Sequence, residues 1–177
     1  RPEIPRLRVY CSDQAHSSID KGVILAGLGH EALCRVPIDD EYRMRPDRLR
    51  AAIAEDRAAG LLPVAVVATV GTTSTTSVDP VAAIADICEA EGLWLHVDAA
   101  YAGAAMLCEE FRHHQDGLEL VDSYTFNAHK WLATNFDCSI FWVADRTPLI
   151  HTLTILPPYL RNAASESGSV IDYRDWH

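Results

Sequence analysis

Short apolar runs and longer amphipathic stretches alternate through most of the chain. Residues 7–11 form a compact β-prone run, followed by the polar turn Ser12-Asp13-Gln14. From 17 to 28, Ile19, Val23, Ile24 and Leu28 recur at helical spacing, and Gly29 is the predicted stop. Residues 32–38 predict a second strand. Pro46 opens the next helix, Leu49, Ile53 and Ala54 give it an apolar face, and Gly60 ends it. Residues 63–69 are a continuous Val/Ala run, the pattern of a strand covered on both faces. Asp79 and Pro80 open a helix with Val81, Ile84, Ala85 and Cys88 on one side, and Glu91-Gly92 close it. Further strands are predicted at 93–97, 123–126 and 139–143. Strand, helix, strand at this spacing predicts right-handed crossovers and an α/β fold, a mostly parallel sheet covered by helices. Residues 148–170 break the pattern with Pro157-Pro158 and a polar run, and predict a mobile, lid-like loop.

Composition narrows the functional classes. A chain of 177 residues can bury one core, and 49% hydrophobic with 23% charged residues describes an ordinary globular protein. The net charge of −10 leaves no basic stripe to meet phosphates, which argues against a nucleic-acid partner. No apolar run is long enough to span a membrane; the stretch at 61–70 is interrupted by Pro63. The five cysteines contain no C-x-x-C pair and read as reduced, mostly packed thiols of a cytoplasmic protein. The chain starts at Arg1 and stops at Asp175-Trp176-His177 without a closing element, so an internal fragment of a longer polypeptide is expected.

The chemistry concentrates between 93 and 131. LWLHVDAAYAG ends an apolar run on Asp98, and FNAHKWL puts Lys130 just beyond another strand. Strand carboxyl ends align along one edge of such a sheet, where small-molecule sites form. An acid and an amine at that edge suit a cofactor with a basic ring nitrogen and an aldehyde. Pyridoxal 5'-phosphate is that cofactor: lysine holds it as an imine and an acid pairs with its pyridinium nitrogen. Taken alone, Lys130 is a surface lysine; flanked by Asn127, His129 and Trp131 it is expected to be partly desolvated, which favours the reactive neutral amine. Asp98 is a helix cap or salt-bridge acid unless the small residues after it, Ala99 and Ala100 among them, admit a flat ligand. His16 either stacks on such a ring or is a satisfied surface histidine. Thr72 and Thr73 either donate to a ligand or stabilise their loop. The His96-x-Asp98 pair offers the start of a metal site, but His113-His114 supplies no third ligand at sensible spacing, so no metal is expected. No G-x-G-x-x-G follows a strand, which argues against a dinucleotide.

Six stretches in order resemble the aromatic-L-amino-acid decarboxylases, the group II pyridoxal-phosphate enzymes. They are SDQAHSS at 12–18, VATVGTTSTTSVD at 67–79, LWLHVDAAYAGAA at 93–105, DSYTFNAHKWLATNFDCSIFWV at 122–143, LPPYL at 156–160 and IDYRDWH at 171–177. The resemblance implies a fold-type I large domain, without its upstream half and C-terminal small domain, and a homodimer with sites at the subunit interface. It implies Lys130 as the imine lysine, Asp98 as the pyridinium partner and His16 as the residue stacked on the ring. Thr73 and Ala100 would lie beside the cofactor, Asn127 and His129 would help hold its phosphate, and Tyr159 would be a mobile-loop tyrosine acting late in catalysis. Ala128 stands where many relatives have proline. The activity implied is α-decarboxylation of an aromatic L-amino acid to its amine and carbon dioxide. Transamination, aldehyde synthesis and a catalytically silent fragment are the rivals; Tyr159 speaks against aldehyde synthesis, which the family associates with loss of that hydroxyl.

Overall fold

The computed structural model describes residues 5–154. Six strands form one sheet in the order β2-β1-β3-β4-β5-β6. They are β1 (Leu7–Ser12), β2 (Leu33–Val36), β3 (Leu62–Thr69), β4 (Trp94–Asp98), β5 (Ser123–Asn127) and β6 (Ser139–Val143). The β1–β2, β1–β3, β3–β4 and β4–β5 pairs are all parallel. Three crossover helices are α1 (Ser18–Leu25), α2 (Pro46–Ala58) and α3 (Val81–Glu91). The predicted strands and helices are all present, with ends shifted by at most three residues. Two compact units part between Trp142 and Val143. Within the second, α5 (Thr147–Leu153) is helical with Pro148 in its first turn. The expected loop is therefore corrected for its first residues, because proline at a helix start costs no hydrogen bond. The rest of the proposed loop, Tyr159 included, lies outside the described residues.

Alternation along the strands sends side chains to two different cores. Tyr10, Val66, Ala68, Leu95 and Val97 join Leu49 and Ile53 of α2 and Ile84, Ala85 and Cys88 of α3 in the larger cluster. Val9, Cys11 and Val67, pointing the opposite way, meet Val23 of α1 in a smaller one. Burial on both faces explains why β3 reads as continuous Val/Ala rather than alternating. The fully buried Tyr10 donates its hydroxyl hydrogen bond to Asp56 Oδ2 at 2.7 Å, tying β1 to α2. Gly92, at φ +66°, ends α3 in the left-handed region that glycine adopts without penalty.

Asp79 clamps two segments together from inside. Only 1% exposed, it accepts Met44 N–H at 2.7 Å through Oδ1 and Thr69 N–H at 2.8 Å through Oδ2. Thr69 is the last residue of β3, so this carboxylate fixes the strand end and the turn before α2 at once. Burial pushes its pKa up to about 6, with the two N–H donors opposing the rise. An acid whose folded pKa lies above its unfolded value of about 3.9 contributes stability that is full below that value and declines as pH rises through the folded pKa. Asp79→Asn presents an NH2 group to one of the two N–H donors and should cost about 2 kcal/mol at low pH. The wild-type advantage over that variant should then fall as pH rises from 4 to 6, by an amount (up to about 3 kcal/mol) sufficient to cancel it. Chemical denaturation of both proteins across that range checks the slope; a difference independent of pH would place the titration elsewhere.

Candidate active site

Parallel pairing sets which residues meet at the sheet's carboxyl edge. Thr69 of β3 is in register with Asp98 of β4, and Asp98 with Thr125 of β5. The ladder continues one step past the strands, through Val70 N–H to Asp98 C=O at 3.0 Å and Ala99 N–H to Thr125 C=O at 2.8 Å. Val97 points into the larger core, so Asp98 faces the side that α1 alone occupies. There a cavity of about 160 Å³ is lined by His16, Thr69, Thr73, Asp98, Ala100, Tyr101, Asn127 and Lys130, with Ser18 and Gly71. His129 is the sequence-predicted residue that does not line it.

Each wall is built differently. Asp98 is half-buried and its Oδ1 accepts the Ala100 N–H at 3.0 Å, which aims the carboxylate across the cavity. His16, exposed in the loop after β1, accepts the Ser18 N–H at Nδ1, so a neutral ring carries its proton on Nε2. The threonine question resolves by position. Thr72 is 1% exposed, and its hydroxyl contacts Thr75 Oγ1 at 2.7 Å and Ser77 Oγ at 3.0 Å; Thr73 is exposed and turned to the cavity. Asn127 Oδ1 accepts from Ser139 Oγ at 2.8 Å, which leaves Nδ2 as the free donor. His129 Nδ1 is occupied by the Cys138 N–H at 2.9 Å.

Lys130 sits in α4 (Ala128–Trp131), a single turn after β5, and is exposed. The expected desolvation is therefore corrected: the turn lifts the side chain to the cavity rim, where no described residue covers it. Its neighbour Trp131 meets Tyr101 edge-on at 5.0 Å, joining the loop after Asp98 to the turn that bears the amine. His96, on the same strand face as Asp98, is spoken for. Trp94 Nε1 donates to Ser123 Oγ at 2.8 Å, and that hydroxyl is hydrogen-bonded to His96 Nδ1, also at 2.8 Å. Burial lowers the His96 pKa despite Asp98 nearby, so a neutral imidazole is held here. Among the described residues no three His, Cys, Asp or Glu side chains are placed to hold a metal ion.

Sequence reasoning missed Thr69, Ser18, Gly71 and Tyr101 as lining residues. Thr69 had a signal, since it ends β3 as Asp98 ends β4. Gly71 did too: at φ +81°, a Cβ built there would lie 2.3 Å from Ala102 Cβ.

An open parallel sheet whose carboxyl edge gathers an acid, an amine and hydroxyl donors defines an α/β small-molecule-binding domain. The chain belongs to the pyridoxal-dependent decarboxylases, whose conserved-domain model matches residues 3–177. It is 50% identical over 171 residues to aromatic-L-amino-acid decarboxylase of Bos taurus, covering 97% of this chain and 34% of that protein. It is 48% identical over 176 residues to phenylacetaldehyde synthase of Arabidopsis thaliana, covering 98% and 36%. The crystal structure of Oryza sativa TDC with PLP and tryptamine superposes with a TM-score of 0.89 at 48% identity, over 96% of this chain and 35% of that one. The chain thus spans about a third of the length of these relatives.

Gly71→Ala should separate the loop bearing Thr73 from the loop after Asp98. The left-handed backbone and the overlap with Ala102 together should cost about 2–4 kcal/mol. A melting temperature within 1–2 °C of wild type, which corresponds to less than about 0.5 kcal/mol, would show that the loops part freely.

Proposed function

We propose that this chain carries the ring-binding part of a pyridoxal-phosphate-dependent decarboxylase that converts an aromatic L-amino acid to its amine and carbon dioxide. The observation behind this reading is the meeting of Asp98 and Lys130 in one cavity with His16, Thr73, Ala100 and Asn127. The donor set fits the group: an acid for the ring nitrogen, an amine for the aldehyde, a small flat wall at Ala100 and an orphan hydroxyl at Thr69. Bound pyridoxal phosphate supplies an electron-withdrawing ring that accepts the electron pair left at Cα.

The chain's own residues then have separable tasks. Lys130 would be the residue whose Nζ holds the cofactor's aldehyde carbon, and its place at the rim would leave room for a substrate amine beside it. Asp98 keeps a proton on the ring nitrogen through a charge-assisted hydrogen bond, aimed by the Ala100 N–H. His16, from the loop after β1, would cover one face of the ring, and Thr73 would offer it a hydroxyl donor. Asn127 Nδ2 is free to meet the phosphate, whereas His129 can offer only Nε2 because its Nδ1 is engaged. Tyr159 delivers a proton to Cα; this role rests on its place in Leu156-Pro157-Pro158-Tyr159-Leu160. We place the protein in the cytoplasm as a homodimer that shares no chemistry with nucleic acid or membrane, in keeping with five free thiols and the acidic composition.

A second reading is aldehyde synthesis, favoured by the 48% identity to a phenylacetaldehyde synthase. Two experiments on the intact polypeptide test these proposals. Lys130→Ala should lose the borohydride-reducible link to cofactor and essentially all turnover, and Asp98→Asn should keep the fold while losing about 10²–10³ in rate. A reducible link surviving in Lys130→Ala would assign the linkage to another lysine. For Tyr159→Phe, carbon dioxide release should continue while amine formation falls by about 10²-fold or more. Aldehyde plus ammonia should rise in its place, and only when oxygen is present. Amine and carbon dioxide released one to one in that variant would assign the proton to another group, and aldehyde from the wild type would favour the second reading.

A further inference from the structure

The cavity contains one polar atom with no assignment. Thr69 is only 4% exposed, and its Oγ1 is buried with no hydrogen-bond partner among the described residues. A buried hydroxyl left unpaired is costly, so such an atom in a native protein calls for an explanation, a functional partner among them. The backbone of Thr69 is fixed from three sides. Its N–H is held by Asp79 Oδ2 at 2.8 Å, its Cα is paired in register with Asp98, and the next residue donates to the Asp98 carbonyl. Its side chain lines the cavity beside that acid.

The chemistry at that end of the cavity narrows the partner to one. If the ring nitrogen points at Asp98, the ring atoms next to it are carbons and accept nothing. The nitrogen itself is a donor once protonated. The acceptor within the ring–acid pair is the carboxylate, which has room for about four hydrogen bonds and has given Oδ1 to Ala100 N–H. We propose that Thr69 is a positioning residue of this site, its hydroxyl donating to the Asp98 carboxylate when a pyridinium N–H closes on that acid. This rests on the reading of the cavity as a pyridoxal phosphate site. A second donor makes the carboxylate a weaker base, so the shared proton stays on the ring nitrogen and the ring is held in line with Lys130.

This role has a signature that a structural threonine lacks. Thr69→Val keeps the shape and removes an unpaired hydroxyl, so the cofactor-free protein should melt at the same temperature or higher. The same change should weaken pyridoxal phosphate binding about tenfold, the fold-change of losing one hydrogen bond to a charged group. Thr69→Ser, which keeps the hydroxyl, should bind within about twofold of wild type. The measurements are the melting temperature of the cofactor-free intact polypeptide and the dissociation constant for pyridoxal phosphate by absorbance titration, for wild type and both variants. A lower melting temperature or failure to fold in Thr69→Val, or binding within about twofold of wild type, overturns the assignment. Wild type that forms no reducible link with the cofactor overturns the cofactor reading and this inference with it; wild type that binds while Thr69→Val binds equally overturns the inference alone.

Discussion

The register of three parallel strands is the constraint on which the site depends. Pairing Thr69 with Asp98 and Asp98 with Thr125 puts three strand ends level, and two further backbone hydrogen bonds hold the first loop residues level as well. A slip of one residue would turn Asp98 into the larger core and bring Val97 to the cavity. The continuous Val/Ala content of β3 does not by itself prevent that slip, since either face would accept it. What prevents it is polar: the Asp79 carboxylate grips the Thr69 N–H, and Asp122 Oδ2 grips the Leu95 N–H at 2.7 Å. The apolar pattern makes the sheet, and carboxylates bound to strand N–H groups, Asp79 buried and Asp122 half-buried, choose its register.

The two faces of the sheet divide the labour. The face under α2 and α3 is a closed apolar core, and the Arg57 side chain reaches Glu91 Oε2 at 3.1 Å to join the ends of those helices. Among the described residues, the opposite face has α1 and a smaller cluster, and none of them covers its strand ends. An open edge lets polar side chains collect without the cost of burying them unpaired. His96 shows the alternative on the same face: one step inside the edge, it needs the Trp94–Ser123 relay to be satisfied. Position along the strand, more than residue type, separates a structural polar group from a ligand-facing one.

The same distinction explains what the sequence made legible. Asp98 and Lys130 stand out because acids and amines rarely follow apolar runs, and strand ends in an α/β chain have a known meeting place. Helix ends at Pro46 and Gly92 read directly from their backbone preferences. Thr72 and Thr73 could not be separated, because adjacent hydroxyls differ only in which way a loop turns them. Thr69 was hidden inside a strand pattern, where threonine counts as a β-former. The exposure of Lys130 was misjudged because apolar neighbours in sequence, Trp131 and Leu132, are themselves exposed on the turn and bury nothing. Helix α5 was missed because prolines were read as breakers when Pro148 lies in a first turn.

That exposure carries a physical consequence for how the site works. An amine at an open rim meets water freely, and it attacks carbon only through a free nitrogen lone pair. The Tyr101–Trp131 edge contact and the Gly71–Ala102 approach hold the surrounding loops without covering Lys130. The part described here therefore fixes where the acid and the amine stand, and leaves open how water is excluded from between them. Orientation comes from the register of the sheet. Among the described residues the strand register supplies alignment, and none of them desolvates the amine.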